Sequence, residues 1–161
     1  MQELADCSGE TVYLSIPMGN RVFYVDKALP AAKNTVSYEL GTTTDDMHCT
    51  SCGKAMLAYM PESFIEEYLS HPLNASTEKS IVDRDLLRGE LVKIRERGYA
   101  TDLMEHEIGI NCVAVSILGV NKNVICAMSI SGPAQRLTES KIHALSEKMK
   151  VHKREIEKAL F

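Results

Sequence analysis

The chain has 161 residues, of which 25% are charged and 45% hydrophobic, and its formal net charge is −4. These values are typical of one ordinary domain, which buries roughly 70% of the surface that its unfolded chain exposes. The slightly acidic balance argues against non-specific nucleic-acid binding, which needs many Lys and Arg side chains. No apolar run approaches the roughly 20 residues of a membrane span, and the first residues lack the features of a secretory signal. We therefore expect a cytoplasmic protein with no membrane partner.

The first elements along the chain are predicted strands. Residues 10–26 are rich in β-branched and aromatic residues on both sides of Gly19-Asn20, a favoured turn pair, and this pattern predicts a hairpin. A third strand is predicted at 36–40. The polar, Thr-rich segment 41–46 is predicted to be a loop that leads to a helix through 55–58.

Two helices are predicted in the middle of the chain. The first begins at Pro61, because proline suits the first helical turn and an apolar stripe follows it at Phe64, Ile65, Tyr68 and Leu69. The second begins at a capping box in residues 80–83, with Asp83 in the position usually held by Glu. Its apolar residues are Leu87, Leu91 and Ile94, and Gly98 is predicted to end it in a left-handed conformation.

The last third of the chain contains a second predicted hairpin and a long helix. The strands are 111–118 and 124–131, joined by a tight turn at 121–123. The helix begins near Thr138, and its predicted buried stripe consists of Ile142, Leu145, Met149, Ile156 and Leu160. Helices that alternate with antiparallel hairpins predict an α+β fold with helices packed on a mostly antiparallel sheet.

Polar residues at two places suggest a small-molecule site. Residues 49–54 lie where a loop becomes a helix, and the free amides of a helix start attract anions, although small residues there also allow close packing. Ser129 and Ser131 lie on one face of an apolar strand. Their hydroxyls either bond to nearby backbone or line a polar pocket, since burying an unpaired hydroxyl is costly.

The five cysteines leave two other hypotheses open. Their odd number and the lack of an export signal argue against a disulfide framework. Cys49 and Cys52 have the spacing of half a zinc site or a redox pair, but the sequence offers no second Cys-x-x-Cys and no suitably spaced His pair. We therefore predict no metal and no cofactor, with a zinc-stabilised interaction domain as an alternative.

A cysteine-dependent hydrolase is the second alternative. It would combine Cys112 as the nucleophile with Asp102 and either His106 or His48. However, Cys112 lies in the middle of a predicted strand, whereas activated thiols usually lie at helix starts or at strand-to-helix turns. We therefore predict no catalytic residues and no enzyme activity.

Four motifs, in this order and spacing, resemble the C-terminal effector-binding domain of IclR-type bacterial transcriptional regulators. The resemblance covers roughly residues 41–161, and the motifs are His48-x-Thr50-x-x-Gly53-Lys54-Ala55, Ile94-Arg-Glu-Arg-Gly-Tyr-Ala-x-Asp102, Glu105-His-Glu-x-Gly-x-x-Cys112-Val-Ala and Ser129-Ile-Ser-Gly-Pro133. It implies a GAF-like, profilin-like antiparallel sheet of about six strands flanked by helices. It also implies that the protein is a sensor of a small metabolite, often a short carboxylic or keto acid.

The resemblance further implies a set of ligand-binding residues: Thr50, Ser51, Asp102, Ile110, Cys112, Ser129 and Ser131. On this basis the two serines are expected to line a pocket. Residues 10–161 are expected to be the effector-binding domain, and residues 1–9 the end of a linker helix. DNA would be bound only through a winged helix-turn-helix domain that is absent from this sequence. Such regulators are usually homodimers or homotetramers, and effector binding changes their quaternary arrangement.

Overall fold

A six-stranded antiparallel sheet and five helices form the α+β fold that the sequence predicts, in a computed structural model that describes residues 1–31, 35–44 and 46–160. The elements in chain order are α1 (Gln2–Ser8), β1 (Thr11–Met18), β2 (Arg21–Ala28), β3 (Thr43–Thr44), α2 (Ser51–Leu57), α3 (Glu62–Ser70), α4 (Arg84–Arg97), β4 (Ala100–Leu103), β5 (Ile110–Leu118), β6 (Val124–Pro133) and α5 (Glu139–Leu160).

The order of the strands in the sheet is β3-β2-β1-β6-β5-β4. Both predicted hairpins are confirmed: β1 pairs with β2, and β5 pairs with β6. The first turn needs Gly19, whose φ of 61° lies in the left-handed region that glycine adopts without strain. The two hairpins meet where β1 pairs with β6, so that the centre of the sheet is formed by strands distant in sequence.

The predicted third strand at 36–40 is wrong. Its residues form no strand, and the short strand β3 instead lies within the predicted loop 41–46, of which residue 45 is outside the described residues. The reason is that side chains of the first hairpin bind this segment. For example, the Thr11 hydroxyl donates to the Val36 carbonyl at 2.5 Å.

The central helices are confirmed with one correction. Helix α3 follows Pro61 and buries most of the predicted stripe, and α4 ends at Gly98 with a φ of 82°. The predicted capping box at 80–83 is wrong, because Asp83 is itself the N-cap residue and accepts hydrogen bonds from the amides of Asp85 and Leu86. Ser80 instead donates to the Glu105 carbonyl at 2.7 Å.

The predicted stripe of α5 is confirmed only for its first half. Ile142, Leu145 and Met149 are buried, whereas Ile156 is half-buried and Leu160 is 57% exposed. Beyond Met149 the helix contacts β5 through polar groups. Lys153 Nζ donates to the Ser116 carbonyl at 2.5 Å, and Glu157 accepts from the Leu118 amide at 2.7 Å.

The sheet has two different faces. Helices α2, α3 and α4 pack on the first, which we call the α2 face, and helices α1 and α5 pack on the second, the α5 face. The α5 face is mostly apolar, and its buried apolar strand residues are Val12, Ala28, Val113, Val115, Met128 and Ile130. No helix in the described part of the chain is long and apolar enough to cross a membrane.

Candidate ligand-binding site

A row of polar side chains crosses four strands on the α2 face. Asp102 pairs with Cys112, Cys112 with Ser131, and Ser131 with Thr11. Ser129 lies on the same face of β6, because side chains two residues apart on a strand point in the same direction. All five residues are buried. The strand register therefore gathers residues that are far apart in the sequence.

All of these residues except Thr11 line a small cavity between the sheet and the start of α2. The cavity volume that water can occupy is about 10 Å³, which is room for roughly one water molecule. The cavity is bounded by residues of β2, β4, β5, β6, α2 and neighbouring loops, which are Tyr24, Tyr38, Thr50, Ser51, Cys52, Asp102, His106, Cys112, Ser129 and Ser131. This set contains all of the sequence-predicted ligand residues except Ile110.

Ile110 lies one step outside this group. It is the first residue of β5, is half-buried and pairs with Pro133 at the end of the sheet. It is two residues from Cys112 on the same strand, but it does not line the cavity. Its contact with a ligand stays a prediction.

Four residues of the cavity were not among the predicted ligand residues: Tyr24, Tyr38, Cys52 and His106. His106 is notable because its Nδ1 atom is buried and has no hydrogen-bond partner among the described residues. Its position four residues after Asp102 is a signal that could have found it. Tyr38 lacks such a signal, since tertiary packing alone brings it to the cavity.

Burial controls the charge of the cavity. It raises the pKa of Asp102 to about 7, although the carboxylate accepts hydrogen bonds from the amides of Glu105 at 2.7 Å and His106 at 3.3 Å. Burial also raises the pKa of the Cys112 thiol well above its usual range, and the Asp102 charge adds to that effect. Cys112 is therefore a protonated thiol at neutral pH, which is the opposite of an activated nucleophile.

The start of α2 is fixed by close packing. Thr50 is the N-cap residue, and its hydroxyl accepts from the Gly53 amide at 3.1 Å. A Cβ atom at Gly53 would lie 2.3 Å from the Met47 carbonyl oxygen, so a larger residue does not fit. At the next turn, the Ala55 carbonyl accepts from the Ser116 hydroxyl of β5 at 2.5 Å. The Gly-Lys-Ala motif thus fastens α2 to the sheet beside the cavity.

The lysine of this motif forms a buried ion pair. Lys54 Nζ lies 2.5 Å from Glu105 Oε2, and the two side chains are only 1% and 10% exposed. The pair joins α2 to the β4–β5 loop, which also carries His106. Because Lys54 is paired with Glu105, it is not one of the residues that line the cavity.

The spacing of Cys49 and Cys52 does not bring their thiols into one environment. Cys49 Sγ lies 3.8 Å from the Asn74 carbonyl, whereas Cys52 Sγ lies 3.6 Å from the Tyr24 hydroxyl inside the cavity. All five cysteines are free thiols. Within residues 1–31, 35–44 and 46–160, no three His, Cys, Asp or Glu side chains are grouped so that they could hold a metal ion.

A wider groove of about 440 Å³ lies beside α3 and the turn of the first hairpin. His48 lines it, but both of its ring nitrogens have partners: the Tyr68 hydroxyl at 2.7 Å and the Asn74 carbonyl at 2.9 Å. His48 therefore lies outside the cavity, whereas His106, the other candidate for the hydrolase triad, lines it with Asp102 and the protonated Cys112. None of the predicted ligand residues lines the groove.

The fold and motifs identify the family. The chain matches the family described as bacterial transcriptional regulator IclR C-terminal over residues 1–158. It belongs to this family. In structure it resembles the IclR protein of Thermotoga maritima, with a TM-score of 0.91 and 38% identity over 98% of this chain and 64% of that one. It also resembles the C-terminal domain of the Escherichia coli regulator KdgR, with a TM-score of 0.82 and 26% identity over 98% of this chain and 91% of that one.

Curated relatives agree with this assignment. The chain is 33% identical over 161 residues to the HTH-type transcriptional repressor AllR of Escherichia coli K12. The match covers 99% of this chain and 59% of AllR. A similar match is to AllR of Salmonella typhi, at 32% identity. The chain thus spans about three-fifths of the length of these relatives. The matched proteins are transcriptional regulators.

Proposed function

We propose that this IclR-family domain senses a short carboxylic, keto or hydroxy acid in the cavity on the α2 face and thereby controls DNA binding by an attached winged helix-turn-helix domain. The observation that carries the proposal is the row of Asp102, Cys112 and Ser131 beside Ser129, in a cavity closed by the start of α2. Convergent polar groups in a largely buried cavity are the usual form of a small-molecule site.

The chemistry of the lining suits a small anion that also carries a hydroxyl or keto group. The hydroxyls of Ser129 and Ser131 can donate to a carboxylate, and His106 Nδ1 offers a further polar atom without a partner among the described residues. Asp102 can accept from a ligand hydroxyl when it is ionised and donate when it is protonated. Since the pKa of Asp102 is about 7, anion binding should weaken as the pH rises above that value.

Control of DNA binding would pass through the quaternary arrangement. An effector shifts an equilibrium between two assemblies only by the difference in its affinity for them. Helix α1 is well placed to report such a shift if it continues a linker to the DNA-binding domain, because Leu4 and Ala5 are buried in the core of the α5 face. Homodimers and homotetramers are the assemblies we expect.

The first test is thermal melting of the purified chain with a panel of small acids: formate, acetate, glycolate, glyoxylate, lactate, pyruvate and succinate. A ligand present at 100 times its Kd stabilises the folded state by about 2.7 kcal/mol, which is a readable shift of Tm. We expect at least one acid to raise Tm, and to do so more at pH 6 than at pH 8, on either side of the Asp102 pKa of about 7. Amides of the same acids serve as matched neutral controls. Equal shifts by acids and amides would contradict anion recognition.

The second test concerns coupling. Sedimentation velocity of the chain with and without the most stabilising acid should show a change in the distribution of oligomers. If an acid raises Tm but the distribution of oligomers is the same at every acid concentration, the ligand site is supported and the quaternary mechanism is contradicted.

A further inference from the structure

The cavity is covered on one side by Tyr38, which belongs to residues 35–40, the segment that we call the strap. The strap follows β2 and forms no regular secondary structure. Its Tyr38 lines the cavity, and the Tyr38 ring stacks on that of Tyr24 with ring centres 6.4 Å apart and an angle of 26°. With this covering in place the cavity has room for roughly one water molecule. Any larger molecule can therefore enter only if a part of the wall moves.

The strap is held on one side by the first hairpin. Tyr13 of β1 accepts a hydrogen bond from the Tyr38 amide at 2.6 Å. Lys27 of β2 donates to the Ser37 hydroxyl at 2.7 Å and to the Tyr38 carbonyl at 2.9 Å. These contacts join the strap to β1 and β2, so they can persist while the other side of the strap moves.

A contact of a different kind fixes the other side. The Tyr38 hydroxyl donates to Glu107 Oε2 at 2.9 Å, and Glu107 belongs to the β4–β5 loop that also carries His106. The bond joins residues 69 positions apart. It connects the strap to the β4–β5 loop, whereas the other contacts connect the strap to the first hairpin. Glu107 is exposed, so water can replace it as the partner of the hydroxyl when the bond opens.

We propose that the bond between Tyr38 and Glu107 is a latch that controls access to the cavity. When the latch is open, the strap pivots on its contacts with β1 and β2 and a small molecule can enter; when it is closed, the Tyr38 ring lies over the occupant. Tyr38 and Glu107 thereby set which molecules can reach Ser129 and Ser131. The biological meaning of the latch rests on the proposed ligand site, but its existence can be tested without any effector.

Two buried thiols inside the cavity provide the test. Cys112 and Cys52 line the cavity, whereas Cys49 is equally buried but lies outside it. The alkylation rate of a buried thiol reports how often it is exposed, because the reagent reacts only with the open form. The full chain is therefore treated with iodoacetamide at about pH 8, where exposed thiols are partly ionised, and the initial rate at each cysteine is measured by peptide mass spectrometry.

The variants are Tyr38→Phe, which keeps the ring and removes the hydroxyl, and Glu107→Ala, which removes the acceptor. Losing an ordinary hydrogen bond should increase the open population, and thus alkylation of Cys112 and Cys52, about fivefold in both variants. Glu107→Gln keeps an acceptor and should give a smaller increase. Glu78→Ala, which removes an exposed carboxylate elsewhere, is the matched control and should change neither rate.

Cys49 separates local opening from unfolding, and its rate should not change in any variant. The proposal is overturned if Cys112 keeps its wild-type rate, if it reacts faster in only one of Tyr38→Phe and Glu107→Ala, or if Cys49 accelerates by the same factor as Cys112. These rates are measured without an acid. If the variants change the alkylation rates as expected but no acid raises Tm, only the proposed ligand class is refuted. If acids raise Tm but the alkylation rates do not change, only the latch is refuted.

Discussion

The two faces of the sheet are built by alternate residues of the same strands, but the α2 face has a row of buried polar side chains beside its apolar core, whereas the α5 face is mostly apolar. On β6, Met128 and Ile130 point to the α5 face and are packed among apolar side chains. Ser129 and Ser131 point to the α2 face and line a cavity. A polar lining cannot be explained by the demands of folding, because the α5 face shows that these strands can be covered by an apolar core. This difference is the basis on which we propose the ligand site on the α2 face.

Part of the α2 face is nevertheless structural. The Lys54–Glu105 pair and the bond from Ser116 to the Ala55 carbonyl hold α2 against the sheet. The serines and Asp102, in contrast, face the cavity. We therefore expect the contribution of each residue to stability to depend on whether it packs in a core or faces the cavity.

The largest expected effect is on the α5 face. Ile130 is fully buried, and Ile130→Ala removes its methyl groups and leaves a cavity, which should lower the free energy of unfolding by about 3 kcal/mol. Urea denaturation followed by circular dichroism measures this change. Ser129→Ala, at the adjacent residue on the opposite face, is the control. A loss below about 1 kcal/mol for Ile130→Ala would show that the α5 face is not the tightly packed side.

A smaller effect on the free energy of unfolding is expected from the titration of Asp102. Burial raises its pKa from its ordinary value of about 4 to about 7, so the folded state binds a proton more tightly than the unfolded state does. This stabilisation is fully present below about pH 4 and is lost as the pH rises to about 7. Between about pH 5 and pH 8 the wild-type chain should lose roughly 2 kcal/mol more stability than Asp102→Asn.

Urea denaturation of both proteins at these two pH values tests this prediction. The comparison removes the contribution of other carboxyl groups, such as Glu105, whose pKa burial also raises. Glu78→Gln, which changes an exposed carboxylate, should have the same pH dependence as the wild type. If the free energy of unfolding changes with pH by the same amount in the wild type and in Asp102→Asn, the pKa of Asp102 is not raised in the folded chain.

The smallest effect on folding is expected for the serines. The double variant Ser129→Ala/Ser131→Ala removes two small polar atoms without a large cavity, so the free energy of unfolding should change by less than about 1 kcal/mol. Urea denaturation checks this value. A loss as large as that of Ile130→Ala would mean that the serines serve the fold, and the contrast between the faces would fail.

The elements that follow local rules could be predicted from the sequence. Both hairpins, the helix after Pro61 and the start of α5 depend on turn residues and apolar spacing, and all are confirmed. The strand predicted at 36–40 failed because side chains of the first hairpin bind this segment, which a local pattern does not show. The local sequence pattern did not predict strand β4. The buried stripe of α5 was predicted to be too long, because a local pattern does not show how wide the sheet is.

The candidate site could be predicted where the family motifs reach and not beyond. Asp102, Cys112, Ser129 and Ser131 come from those motifs, and strand pairing brings them together. Tyr24 and Tyr38 join them through contacts between distant segments, which no spacing rule describes, whereas Cys52 lies within the first motif beside Ser51. Ile110 also comes from a motif but lies one step outside the cavity, so its contact with a ligand stays a prediction.

The central claim is tested most directly by titrating the most stabilising acid into matched serine variants and following Tm. Ser146→Ala is the control, because Ser146 is equally buried but bonds to the His143 carbonyl within α5, away from the cavity. The account predicts that Ser129→Ala/Ser131→Ala folds but is not stabilised by the acid, whereas Ser146→Ala responds like the wild type. Unchanged affinity in the double variant would contradict a ligand site on the α2 face.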